Sequence, residues 1–380
     1  MKKITIALYF LLIISILLGQ NQQFRNSSDY EKYGLKPGNI PEVWEDGMRT
    51  GGVKGTFEWW YFDAHLDDGT TVVIVFNTKP FTKIRKGLVP FIIINIDNPD
   101  GTSIKKTYFG KANEFSASDT KCDVVIGKNY FRGNMKNYDI HFEDSELKID
   151  AKINRTSESW RPLTGIMSEK KTGYYFAWLV PVPKGETEIT YSYEGKEYDL
   201  KGSCYHDHNF GNKNMVYFIN HWYWSRSEIG PYTVIASESI LTEKFNNFSS
   251  MVFNLSKDGR TIADNSENVK LYRTYDKMQD AGGRPLSDNL KFIYESENEE
   301  YKYEYTLVRK KNLVEDKILG SGASTKFTRE LVKLFTGFDG AYYRMSGIAN
   351  LKVYKNKNLI EEYSSDKAIW ELMYFGEPYE

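Results

Sequence analysis

A chain of 380 residues is long for one hydrophobic core, since cores stop growing near roughly 250–300 residues, so two domains are expected. Hydrophobic residues at 41% and charged residues at 27% exclude a disordered chain and a multi-span membrane protein. Fifty basic residues against 51 acidic ones leave a net charge of −1, which excludes a broad electrostatic footprint for nucleic acid; no protein partner is implied either. Aromatic residues reach 15%, 28 of them tyrosine, and such rings favour strands and line apolar pockets. A β-rich protein with a cavity for a hydrophobic small molecule or lipid is the expectation.

In chain order, residues 1–20 open with Met1-Lys2-Lys3 and continue in an uncharged apolar run from Ile4 to Leu18. This is the layout of a secretory signal, so an exported protein, periplasmic or secreted, is expected. The residues around Leu17-Leu18-Gly19 make a poor cleavage site, and an uncleaved membrane anchor is the alternative. Residues 21–54 are polar, carry Pro37-Gly38 and Gly51-Gly52, and lack a sustained period, so they read as an extended lead-in. From Gly55 onward, short aromatic or β-branched runs such as 71–77, 91–96, 174–180, 232–237 and 301–308 alternate with turns such as Asp68-Gly69 and Asp258-Gly259. That rhythm predicts antiparallel sheets. A short helix is predicted over 324–335, where Phe327, Leu331 and Leu334 share a face ahead of Gly337. The two cysteines, Cys122 and Cys204, are a weak disulfide signal.

Trp60-Tyr61 followed by Thr71-Val72 recurs as Trp222-Tyr223 followed by Thr233-Val234 at one ungapped offset, 222 − 60 = 233 − 71 = 162. The repeat predicts two similar β domains, 55–205 and 206–380, with the segment 202–212 on their junction. Clefts between domains are favoured places for sites.

Three segments carry candidate chemistry. Around Trp60, strand alternation sets Trp60, Phe62, Ala64 and Leu66 on one face and Tyr61, Asp63 and His65 on the other. In the segment 220–226 it groups Trp222, Trp224 and Arg226, beside His221. In the junction segment it groups Tyr205, Asp207 and Asn209 against His206 and His208. A carboxyl buried among aromatic rings has a raised pKa, which would make Asp207 a general acid. His206-x-His208, joined by His65 or His221, is a conceivable metal site, although no cysteine or carboxylate pattern completes it. The plainer alternative is that Asp207 and His208 tie the two halves together through buried hydrogen bonds. No Gly-x-Ser-x-Gly elbow or phosphate-binding glycine loop is present, so nucleophilic hydrolysis is not favoured.

Taken together, Glu58-Trp59-Trp60-Tyr61-Phe62-Asp63, the run from Tyr205 to Gly211, and His221-Trp222-Tyr223-Trp224-Ser225-Arg226 resemble the carotenoid 1,2-hydratase (hydroxyneurosporene synthase) and AttH-like superfamily. The resemblance runs from about Gly55 to the closing Trp370-Glu371-Leu372-Met373-Tyr374. It implies an all-β fold of two lipocalin-like antiparallel β-barrel domains packed together, binding apolar ligands. It also implies a repertoire that includes hydration of acyclic carotenoids and pericyclic cyclisation, and with Asp207 set among aromatic rings the expectation is cofactor-free, metal-free, acid-catalysed hydration or cyclisation of an isoprenoid-like alkene. In that scheme Asp207, Tyr205 and His208 are catalytic. The ligand is held by Trp60, Tyr61, Asp63, His65, His206, Asn209, His221, Trp222, Trp224 and Arg226. This sequence departs from the family pattern at Phe210, Ser225 and Cys204. A non-enzymatic carrier or sensor of a hydrophobic ligand is the rival expectation.

Overall fold

The computed structural model describes residues 24–275, 284–317 and 340–375. The expected signal segment and the helix predicted over 324–335 lie outside the described residues. Among those described, the chain is strands joined by turns and short 3-10 segments.

Two antiparallel sheets follow one plan. In the first, of thirteen strands, Phe57–Leu66 runs into Thr71–Asn77, Phe91–Asp97 and Ser103–Phe109. On its other side Phe57–Leu66 pairs with Lys196–Gly211, which leads back through Tyr175–Tyr193 and Leu147–Arg155 to Phe115–Ala117. In the second, of nine strands, Ile219–Ile229 runs into Tyr232–Leu241, Ser249–Lys257 and Arg260–Ala263. On its other side it pairs with Asn358–Tyr374, which leads back through Ala341–Lys355 to Val269–Tyr275. Each sheet curls until its first and last long strands hydrogen-bond, and each stays open between two strands that are consecutive in sequence. Period-2 burial follows from the curl. Trp60, Phe62, Ala64 and Leu66 fill the first interior, while Tyr223, Ile229 and Tyr232 help fill the second.

The duplicated plan is real, but the ungapped repeat is out of phase in its first strand. Trp60 is fully buried inside the first sheet, whereas Trp222 points out of the second and Tyr223 points in. The equivalent outward residues are Trp59, Tyr61 and Asp63 in one half and Trp222, Trp224 and Arg226 in the other, an offset of 222 − 59 = 163. The hairpin after Leu66 turns over residues 67–70, and that after Ile229 over Gly230-Pro231. A register change of one residue moves every side chain to the opposite face.

The first sheet runs through Gly211, so residues 206–211, expected to open the second unit, close the first. The lead-in is also more than extended chain. Residues 24–26 pair with Ile166–Glu169, and the 3-10 turn Val43–Asp46 buries two carboxylates. Glu45 meets the Arg161 guanidinium at 2.8 Å, and that guanidinium also donates to the carbonyls of Lys36 and Gly38. Cys122 and Cys204 are separate buried thiols.

Gly202 sits where strand Lys196–Gly211 lies against the end of Phe57–Leu66. A methyl group there would drive into the His65 carbonyl. Gly202→Ala is expected to lower the urea midpoint by an amount worth about 2 kcal/mol, because only backbone movement relieves the clash.

Candidate functional site

The two sheets pack through their outward faces, and a cavity of about 230 Å³ remains between them. The first half contributes Trp59, Tyr61, Phe176, Trp178, Asp207 and Asn209. The second contributes Trp222, Trp224, Val252 and Glu371, with Ser237, Ser239 and Ser250. Alternation explains the composition: on each central strand, one parity fills a barrel and the other faces the opposite sheet.

Asp207 is the polar centre of this wall. Its Oδ2 accepts hydrogen bonds from Trp178 Nε1 at 2.9 Å and from the Tyr205 hydroxyl at 3.0 Å, and its Oδ1 accepts one from Asn209 Nδ2 at 2.8 Å. Burial pushes its carboxyl up to about 7, against the opposing pull of the Trp178 and Tyr205 donors and of His206. Tyr205 is itself fully buried, its ring 5.4 Å from that of Trp224, and burial raises its phenol well above the ordinary value.

Glu371 is a second carboxyl in the same wall. Burial raises its pKa, and the Tyr342 hydroxyl donates to its Oε1 at 2.5 Å. Tyr61, Trp224 and Glu371 also border a wider opening of about 700 Å³ that holds Asp63, His65, Arg226 and Arg344. There Arg226 bridges the halves, 2.9 Å from Asp63 of the first sheet and 3.0 Å from Glu228 of its own strand. Burial opposes its charge, but the two carboxylates more than offset this and hold its pKa above the ordinary value. Its guanidinium lies 5.4 Å from the Tyr205 ring centre rather than over the tryptophans. Burial lowers His65 to about 4, which leaves it a neutral imidazole at pH 7.

Four residues expected at the site, three as ligand contacts and His208 as a catalytic group, lie elsewhere. Trp60, His206 and His208 point into the first barrel, because they have the opposite parity to Tyr61 and Asp207. His208 therefore cannot orient the Asp207 carboxyl. Its Nε2 meets Glu58 Oε1 at 2.9 Å and its ring stacks on Trp60 at 4.6 Å. His206 bonds through Nδ1 to the Tyr61 carbonyl at 2.8 Å and approaches Asp46 through Nε2 at 3.2 Å. Tyr138 donates to the same Asp46 oxygen at 2.6 Å, so His206 and Tyr138 together pin the lead-in to the barrel interior. His221 lies on the second sheet against Tyr374, 4.9 Å between ring centres, and outside the cavity wall.

The histidine set proposed for a metal is thus split among the barrel interior, the opening and the second sheet. A different trio, Asp46, Cys122 and His206, brings three potential ligand atoms within 4.8 Å of one another inside the first barrel. Burial raises the Cys122 thiol well above its ordinary value, and the Asp46 carboxylate is already engaged by Tyr138 and His206, so the trio fits a packed polar core better than a metal centre.

Trp59, Trp178, Phe176 and Glu371 were not among the expected site residues. Phe176 and Trp178 share a parity within a run that reads as an ordinary strand. Glu371 alternates with Trp370 and Leu372, which reads as a solvated acid until the opposing sheet covers it.

A model of the Diels-Alderase-like family matches residues 53–283, the stretch that supplies most of this cavity. The chain belongs to the Diels-Alderase-like family. A hydroxyneurosporene dehydrogenase from Chlorobaculum tepidum is 28% identical over 213 residues, covering 46% of this chain and 54% of that relative, so the match spans about half its length. Among solved structures, one named for AttH from Nitrosomonas europaea is similar at 11% identity, covering 83% of this chain and 92% of that one with a TM-score of 0.54. CghA is similar at 9% identity, covering 94% and 99% with a TM-score of 0.58, and it has also been solved with Sch210972. Kievitone hydratase from Nectria haematococca is similar at 12% identity, covering 89% and 94% with a TM-score of 0.51. At such identities these structures establish the Diels-Alderase-like chain's fold: two curled antiparallel sheets of AttH-like, lipocalin type.

Proposed function

We propose that this protein is a cofactor-free acid catalyst that hydrates or cyclises an alkene in an apolar, isoprenoid-like ligand held between its two sheets. The observation that carries the reading is Asp207: a carboxyl titrating near neutrality, set in an aromatic wall and braced by three donors. The protonated acid gives its proton to one alkene carbon, the π pair forming the new C–H bond, and positive charge develops at the other carbon. Trp178, Tyr205 and Asn209 then stabilise the carboxylate left behind, while the rings of Trp59, Trp222 and Trp224 stabilise the cation, each by about 1–2 kcal/mol in a dry site. Attack by water, or by a second alkene of the same ligand, closes the step, and the released proton returns to Asp207. The name of one structural neighbour, kievitone hydratase, and that of the matching Diels-Alderase-like family support this class of chemistry. The apolar run from Ile4 to Leu18 supports placing it outside the cytoplasm.

Incubation with acyclic isoprenoid alkenes in ¹⁸O-labelled water tests the proposal. A product heavier by one labelled water, or an isomeric cyclised one, is expected; a ligand recovered unchanged at all times makes the protein a carrier instead. The rate should also report the acid. Because protonated Asp207 is the reactive form, kcat/KM is expected to be level below about pH 7 and to fall tenfold per unit above it. A rate that rises through the same range rules out Asp207 as the proton donor.

A further inference from the structure

The wide opening at the end of the cavity contains one largely buried cation, Arg344, with no hydrogen-bond or ion-pair partner among the described residues. Its Nε is buried and donates to no acceptor, although Tyr61, Glu371, Tyr342 and Asp63 all lie near enough to feel its charge. The acids that might neutralise it are already engaged. Asp63 and Glu228 pair with Arg226, and Glu228 also with Lys184 at 3.1 Å. Glu371, opposite Arg344 on the neighbouring strand, instead accepts from Tyr342, and its burial favours the neutral acid. A guanidinium whose Nε has no acceptor, beside a carboxyl already engaged by Tyr342, is a good anion receptor, because planar acids meet the guanidinium fork with two charge-assisted bonds. Exposed Lys311 and Lys367 border the same opening and add positive charge at its rim.

Tyr61, Trp224 and Glu371 are common to the apolar cavity and to this opening, so a single molecule can occupy both. We infer that the ligand is an amphiphile whose apolar body lies among Trp59, Trp178 and Trp222 and whose anionic head, a carboxylate or ionised enol, is bound by Arg344. This rests on the reading of the cavity as an isoprenoid-type site and deepens it by naming the head group. It also orients the ligand: the head at Arg344 sends the chain past Glu371 and Trp224 toward Asp207.

Farnesol and farnesoic acid, which share a chain and differ in the head, separate the two ideas. Quenching of the cavity tryptophans is measured at pH 8 with each compound, for the full protein and for Arg344→Gln. The acid is expected to bind at least tenfold more tightly than the alcohol, with the preference falling below twofold in Arg344→Gln and alcohol affinity unchanged. Should Arg344→Gln fail to fold, Arg344→Lys takes its place: it is expected to keep part of the preference and lose the bidentate share, and an undiminished preference in Arg344→Lys overturns the assignment. Equal binding of both compounds by the wild type, or a preference that survives in Arg344→Gln, overturns the head-group assignment while leaving the cavity reading intact. Failure of both compounds to bind overturns the cavity reading and this inference with it.

Discussion

Asp207→Asn is expected to lose turnover by about 10³-fold or more while folding normally, since general acid catalysis supplies roughly 10²–10⁴-fold and no other described acid shares the Trp178 and Tyr205 donors. The stability of the variant makes the result diagnostic. Burial carries the Asp207 carboxyl from 3.8 to about 7. Between those values the native state keeps a proton that the unfolded chain has released, so native stability falls as pH climbs from about 4 to 7 and the penalty is complete above 7. That penalty is on the order of 4 kcal/mol at pH 8. The amide cannot ionise and escapes it, so Asp207→Asn should match or exceed the wild type in urea at pH 8 and show no such advantage at pH 4. A variant that is inactive and also markedly less stable at both pH values would mean that Asp207 only ties the halves together. Full activity in Asp207→Asn would remove it from the mechanism.

Arg226→Ala carries the second large effect. The guanidinium joins Asp63 of one sheet to the strand of the other, with the two side chains only 6% and 7% exposed. Removing it strands a buried carboxylate between the sheets, a defect that costs about 3–5 kcal/mol. A loss of that size in the denaturant midpoint is expected, together with earlier separation of the two halves in hydrogen exchange at strands Phe57–Leu66 and Ile219–Ile229. Adding Asp63→Asn should recover most of the loss, because the uncompensated charge, rather than the missing bond, dominates it. A loss below about 1 kcal/mol would place the pair in water.

Much of this was legible in the residues. Period 2 alone separates Tyr205, Asp207 and Asn209 from His206 and His208, and it groups Trp222 with Trp224 and Arg226; the structure has the same partition. The all-β, doubled architecture follows from the aromatic strand rhythm and the spacing of turns. What alternation cannot say is which face looks at a barrel interior and which at the other sheet. His206 and His208 read as chemistry because they are polar and crowded, but the partners that explain them, Asp46 and Glu58, come from the lead-in and the first strand. Glu371 lies far along the chain from Asp207 and reaches the same cavity only because the last strand of the second sheet closes on Ile219–Ile229. The repeat points to duplication, yet a hairpin of different length shifts its first strand by one residue, and no ungapped comparison registers that slip.

The wall of the cavity is divided unevenly between the sheets. Asp207 and its three donors all come from two adjoining strands of the first sheet, while Trp222, Trp224, Val252 and the serines of the facing surface come from the second. On the proposed reading the first half is the reagent and the second is the mould. Natural variation in what such proteins accept can then accumulate in the second half without disturbing the acid, and a chimera that exchanges only that half inherits the donor's choice of ligand while keeping the host's chemistry.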